Sequence, residues 1–186
     1  MLALEGMDME KSARRALILR LMLIFVLGGI LGWVYEMLFY RIDLGHFTRR
    51  GHGFGPWLPI YGFGSLFILF FTRRLKRWPW AVFLMAGLVT GLLEYFTGWA
   101  LYRFWGGLRL WDYNTEIWNW GNIQGFVCLR SVLVFALAAL GLVYGIEPAL
   151  VRLSGRVPKR LWTLVCVLPF CLFVLDILWG YVLHPL

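Results

Sequence analysis

The sequence predicts an all-α membrane protein: five transmembrane helices with two structured external loops, forming one transmembrane domain over residues 1–186. Three observations predict it. First, 61% of the residues are hydrophobic and only 15% are charged, with a mean hydropathy of +0.72. A water-soluble domain of this length cannot hide that much apolar surface. Second, the apolar residues fall into long runs, and roughly 20 such residues in a helix cross the hydrocarbon core. Third, the basic residues behind the net charge of +8 gather at the ends of these runs. Membrane topology therefore accounts for the charge, and a nucleic-acid partner is excluded.

The first predicted span is residues 16–40, after a short segment of mixed charge. Basic residues precede it as in a signal peptide, but the run continues past 20 residues with no small-residue cleavage site, so it reads as a span. The second is residues 57–72, with Pro59 in its first turn, where a missing N–H is tolerated. Arg73, Arg74, Lys76 and Arg77 form the turn to the third span, residues 80–104. A polar, aromatic connection over 105–122 leads to the fourth, residues 123–146. Arg152, Arg156, Lys159 and Arg160 fill the next loop, and the fifth span is residues 161–183. The excess of Lys and Arg on cytoplasmic loops sets orientation. Lys11, Arg14, Arg15 and the two later basic clusters share one side if five spans start inside. The expectation is a multi-pass protein of the cell membrane with a cytoplasmic N-terminus and an external C-terminus.

The stretch Arg49–Gly64, RRGHGFGPWLPIYGFG, holds five glycines and two prolines. That density predicts a shaped loop, with no ordinary helix until about Tyr61. It lacks the preceding strand and the GK[ST] ending of a nucleotide-binding loop, so nucleotide binding is excluded. No HExxH or GxSxG motif is present, His46 and His52 are too isolated to argue for a metal, and no cofactor is expected. Cys128, Cys166 and Cys171 lie in apolar runs without a CxxC pair and read as buried thiols.

Four ionisable side chains fall inside the predicted spans: Glu36, Glu94, Arg130 and Asp176. A charge at the bilayer centre costs at least about 2.5–3.5 kcal/mol, so such groups face protein or water. On the predicted topology all four lie in the outer half. Gly28, Gly32 and Glu36 share one helical face, as do Gly87, Gly91, Glu94 and Gly98. Small residues at that spacing let helices approach closely in lipid, which turns both acids toward the bundle. The bland reading is a polar clamp in which Arg130 neutralises an acid. The functional reading is an outward-facing polar pocket lined by Glu36, Glu94, Arg130 and Asp176 and capped by loop residues. Arg49, Arg50, His52 and Tyr61 come from the glycine-rich stretch, Tyr95 from the third span, and Asp112, Tyr113, Asn119, Asn122 and Gln124 from the connection after it. Trp105, Trp111, Trp118 and Trp120 read as an interfacial aromatic belt.

Several motifs then line up. They are Trp33-x-x-Glu36, Arg50-Gly51, Gly55-Pro56, Pro59-Ile60-Tyr61-Gly62-Phe63-Gly64, Leu93-Glu94-Tyr95 with Thr97-Gly98, Trp111-Asp112-Tyr113, and Cys128-Leu129 with Ser131. In this order, over residues 28–150, the chain resembles the ABC-transporter type IV, permease-like (CmpB-type) family of small bacterial integral membrane proteins. It departs from the family pattern at Arg49-Arg50-Gly51-His52, where the family has Asn-Arg-Gly-Phe. It departs again at Gln124-Gly125-Phe126-Val127, where Arg130 stands in for an arginine the family places earlier. The resemblance implies a small multi-span protein with a transport label.

The leading expectation is binding or transport of a small polar or amphiphilic solute. Acids would bind a cation or relay protons, and arginines would hold an anionic group. One alternative is a membrane-embedded enzyme on a lipid-linked substrate, with Glu36 or Glu94 as general base. Another is an accessory or assembly subunit without a ligand. The expected partners are the lipid bilayer, a small solute or lipid headgroup, further copies of the chain, and a separate ATPase subunit, since the chain carries no ATPase motif.

Overall fold

The computed structural model describes residues 2–183, leaving aside the side chains of residues 2–9 and 181. The three C-terminal residues, where the external end is expected, lie outside the described residues. Among the described residues every regular element is a helix, and the one β-contact is an isolated bridge between Ile123 and Val127.

Helix α1 is Leu2–Asp43, far longer than the apolar stretch within it. Helix α2 is Pro59–Thr72. It starts at Pro59, two residues before the glycine density predicts, because proline at the first helical position is already set at φ near −65° and lacks only an N–H the helix does not use. Gly62 and Gly64 therefore lie inside the helix. Helix α3, Pro79–Phe104, again opens on a proline. It ends at Gly106 and Gly107, both at positive φ, with the Gly107 N–H bonded to the Tyr102 carbonyl.

Helix α4, Leu129–Gly141, starts six residues later than predicted. Gln124 and Gly125 turn the chain at positive φ, and Cys128 caps the helix by accepting from the Ser131 N–H. The helix does not stop at Ile146. A π-helical turn, Leu142–Ile146, carries it into α5, Glu147–Ser154, so the rod runs Leu129–Ser154. Pro148 sits in the first turn of α5 and has no N–H for an i−4 carbonyl, so the wider turn immediately before it absorbs the lost bond. Helix α6, Lys159–Ile177, passes through Pro169 and ends in a second π-helical stretch, Leu178–Leu183.

Four helical segments are long and apolar enough to cross a membrane: Glu10–Asp43, Pro79–Phe104, Leu129–Ser154 and Lys159–Gly180. Helix α2, at 14 residues, is shorter. At 1.5 Å per residue it is about 21 Å long, against a hydrocarbon core of about 30 Å.

Contacts gather in two compact units. The first takes in the chain up to Leu38, Thr48–Phe63 and the chain from Glu147 onward. Its centre is aromatic. The Phe25 ring meets Phe63, Phe170 and Phe173, and Trp57 stacks on Phe173 at 4.8 Å. Added side-chain atoms at Gly29 would overlap Phe173, and at Gly32 the Tyr61 ring. The second unit is Phe39–Phe47 with Gly64–Ile146, built on α3 against α4. Gly87 and Gly91 face Val132, and Gly98 faces Phe126 and Trp111. Lipid tails are as apolar as leucine, so close packing across such small residues holds these helices together.

Candidate functional site

The four intramembrane charges are divided between the units: Glu36 and Asp176 in the first, Glu94 and Arg130 in the second. Each is engaged by a loop of its own unit.

In the first unit, the Arg50 Nε donates to Glu36 Oε2 at 2.6 Å, and the Tyr61 hydroxyl donates to Glu36 Oε1 at 2.9 Å. Trp33, one helical turn before Glu36, donates its indole N–H to the Arg50 carbonyl at 3.1 Å. Helix α1 thus holds one end of the glycine-rich stretch through Trp33 and Glu36. Asp176, near the end of α6 and 2% exposed, holds the other end. Its carboxylate accepts from the backbone N–H groups of Phe54 at 2.6 Å and Gly55 at 3.1 Å, and from the Trp57 indole. Gly53 has no side chain because the Asp176 carboxylate occupies that space, and Gly180 lies against the Gly53 backbone. Arg49 is exposed and donates to the Gly53 carbonyl at 2.7 Å. His52 is half-buried beside Gly180.

In the second unit, Glu94 on α3 is buried. The Tyr113 hydroxyl donates to its Oε1, and the Ser131 hydroxyl on α4 donates to its Oε2 at 2.8 Å. Burial, then the charge of Glu94 and the bond to it, hold the Tyr113 phenol well above its ordinary range, so it stays a neutral donor. Arg130, the second residue of α4, donates to Glu116 Oε2 at 2.7 Å, with both side chains almost fully buried. Its guanidinium lies over the Phe39 ring at 3.9 Å. Tyr40 also donates to Glu116. Burial raises the Glu116 carboxyl above its ordinary value, an effect only partly offset by the Tyr40 and Arg130 bonds. Asp43 accepts from the Ile117 N–H at 2.8 Å.

Arg130 therefore forms an ion pair with Glu116, an acid outside the three that the sequence places in the spans. A signal for it existed: Asp112 and Glu116 are the acids of the 105–122 connection, and an arginine at a helix end in the membrane needs a carboxylate within reach. Asp112 is occupied otherwise. It pairs with Arg109 at 3.3 Å, and its carboxylate accepts from the Asn114 backbone N–H at 3.0 Å, which shapes the turn. Tyr95 reaches Gln124 at 3.4 Å. Ser131 and Trp57 are the other functional side chains that spacing arguments miss, because a hydroxyl or an indole carries no periodic signature. Of the tryptophans, Trp105, Trp118 and Trp120 are exposed, whereas Trp111 turns inward and donates to the Phe126 carbonyl at 2.9 Å. Among the thiols, Cys128 and Cys166 are buried but Cys171 is exposed, because it lies on an outward face of α6.

The two acid sites differ in chemistry. Glu36 faces a cation, Arg50, whereas Glu94 is held by two hydroxyls, those of Tyr113 and Ser131. A hydroxyl can donate or accept, so Tyr113 and Ser131 can stay bonded to Glu94 in either protonation state.

No curated protein and no solved structure matches the chain. The model of the family described as "Putative ABC-transporter type IV" matches residues 23–181. That match covers Glu36, Glu94, Arg130 and Asp176, both loops and the four candidate spans, the first of them from residue 23 onward, and the chain belongs to this family.

Proposed function

We propose that the chain is the membrane-embedded part of a transport system for a small polar or amphiphilic solute, with Glu94 as the group that exchanges a proton or binds a cation. The observation that carries this reading is the hydroxyl cage of Glu94. Tyr113 and Ser131 can hold the acid through a change of charge, whereas an ion pair loses its charge attraction when the acid is neutral. The chain has no ATPase motif, so ATP-driven transport would draw on a separate subunit.

In this reading α2 crosses the membrane despite its length. The basic turn from Arg73 to Arg77 follows it directly, and long basic side chains extend an apolar helix to the interface. Five crossings then keep all three basic clusters on the cytoplasmic side.

The test is Glu94→Gln, whose amide has the same shape and can bond both hydroxyls. The expected result is an unchanged melting temperature. Proton flux in proteoliposomes, and stabilisation by any member of a panel of amines, carboxylates and phosphates, should fall at least about tenfold. Lost stability with unchanged flux per folded molecule would reject the reading. It would instead favour a ligand-free accessory subunit, which the engagement of Glu36, Asp176 and Arg130 by the loops also supports.

A further inference from the structure

The solute reading leaves open which chemical group the solute presents, and the first unit contains a site that answers this. The Phe54 N–H, the Gly55 N–H and the Trp57 indole N–H converge on one carboxylate. Successive backbone N–H groups turned to one side make a concavity for an anion, and here an indole completes it. The occupant is Asp176 of the same chain, and among the described residues no cation pairs with it. Among the described residues, N–H dipoles alone offset its charge. Arg49 stands at the rim, exposed, and is tied to the same loop through the Gly53 carbonyl. The stretch after Asp176 is π-helical, a rare geometry found frequently at functional sites.

We propose that the 53–57 segment is a receptor for a carboxylate or phosphate group, that Asp176 fills it as a tethered stand-in, and that the solute's anionic group takes the place of Asp176. The inference rests on the solute-binding reading above and names the group recognised. Displacement frees the loop from the end of α6, and Arg49 supplies the cation that Asp176 lacks. Gly53 is required because any side chain there would fill the space of the bound carboxylate.

The experiment uses the full chain in nanodiscs, with sodium acetate and inorganic phosphate as probes and sodium chloride at equal ionic strength as control. Asp176→Ala empties the receptor. Its melting temperature should fall and then recover saturably in acetate or phosphate but not in chloride, and the more effective anion identifies the class. Gly53→Ala combined with Asp176→Ala should abolish the recovery. In the parent chain, a 5-fluorotryptophan resonance assigned to Trp57 should shift with the same anion at a concentration about tenfold higher, because the tethered carboxylate competes. No recovery in folded Asp176→Ala, or recovery that survives the added Gly53→Ala, overturns the proposal. So does a parent chain whose Trp57 resonance never responds. If Asp176→Ala folds only when purified in acetate or phosphate, the receptor is supported; if it folds in neither, the parent titration decides. The readout is anion binding at Trp57, so a negative Glu94→Gln experiment leaves it unaffected.

Discussion

Tyr113 shows how one side chain from a loop sets the chemistry of an acid in a helix. Its phenol faces the Glu94 carboxylate and is held neutral first by burial and then by that charge. A group whose folded-state pKa is raised contributes stability that is complete below its unfolded value, near pH 10, and is lost as pH rises through the folded value. The protein should therefore lose stability above about pH 10, and Tyr113→Phe should flatten that loss. At pH 7 the same change should lower stability by about 1–3 kcal/mol, the usual worth of a hydrogen bond to a charged group. Chemical denaturation in detergent at pH 7 and across the alkaline range checks both. Equal alkaline slopes in parent and variant would show that another group carries the titration. Glu94 was legible in the sequence from its glycine stripe, and Asp176 from its place in an apolar run. Of their donors, Tyr113 is legible as a loop residue of the expected pocket but its pairing with Glu94 is not, and the Phe54 and Gly55 N–H groups carry no residue identity.

At the scale of elements, α2 differs most from expectation. Glycine and proline together argue against helix, yet Pro59 opens one and Gly62 and Gly64 continue it. Tertiary contact overrides propensity here: a Cβ at Gly62 would lie 2.9 Å from the Phe25 carbonyl oxygen, whereas one at Gly64 would make an ordinary 3.6 Å contact with Leu93. Gly62→Ala should thus destabilise by about 1–3 kcal/mol, since backbone cannot move aside as a side chain can. Gly64→Ala should be neutral or slightly stabilising, because alanine is the better helix former. Paired melting curves test this, and equal effects would mean that close approach is not the reason for Gly62. The late start of α4 has a different cause. Residues 123–128 are apolar enough to read as membrane helix, but Gln124 and Gly125 adopt positive φ and Tyr113 donates its backbone N–H to the Gly125 carbonyl. Hydropathy sees composition and not dihedral angles, so the segment reads as helix where the backbone turns.

At the scale of the molecule, apolar length and basic turns revealed a multi-span helical protein directly, because the bilayer imposes both. The division of the four charges between two units was not legible. Depth along a span can be read from sequence, but which helix lies beside which cannot. Orientation yields to labelling. With the cytoplasmic N-terminus and five crossings proposed above, cysteines introduced at Leu75 and Leu108 should react from opposite sides, the first only from within and the second only from outside. The reverse pattern, Leu75 reached from outside and Leu108 from within, would leave α2 uncrossed. Cys171 must be replaced first, since it is the exposed native thiol among the described residues.

The two bonds that tie the glycine-rich stretch differ greatly in when they can form during synthesis. Arg50 follows Glu36 by 14 residues, so that tie is available almost as soon as the first helix leaves the ribosome. Asp176 follows Trp57 by 119 residues. At 5–20 residues per second that is a wait of about 6–24 s. Throughout it, three N–H groups beside the membrane have only water or a passing anion to bond. Emergence of α6 is thus the event that completes a segment made 119 residues earlier, and a chain cut short before Asp176 would carry that segment unfinished.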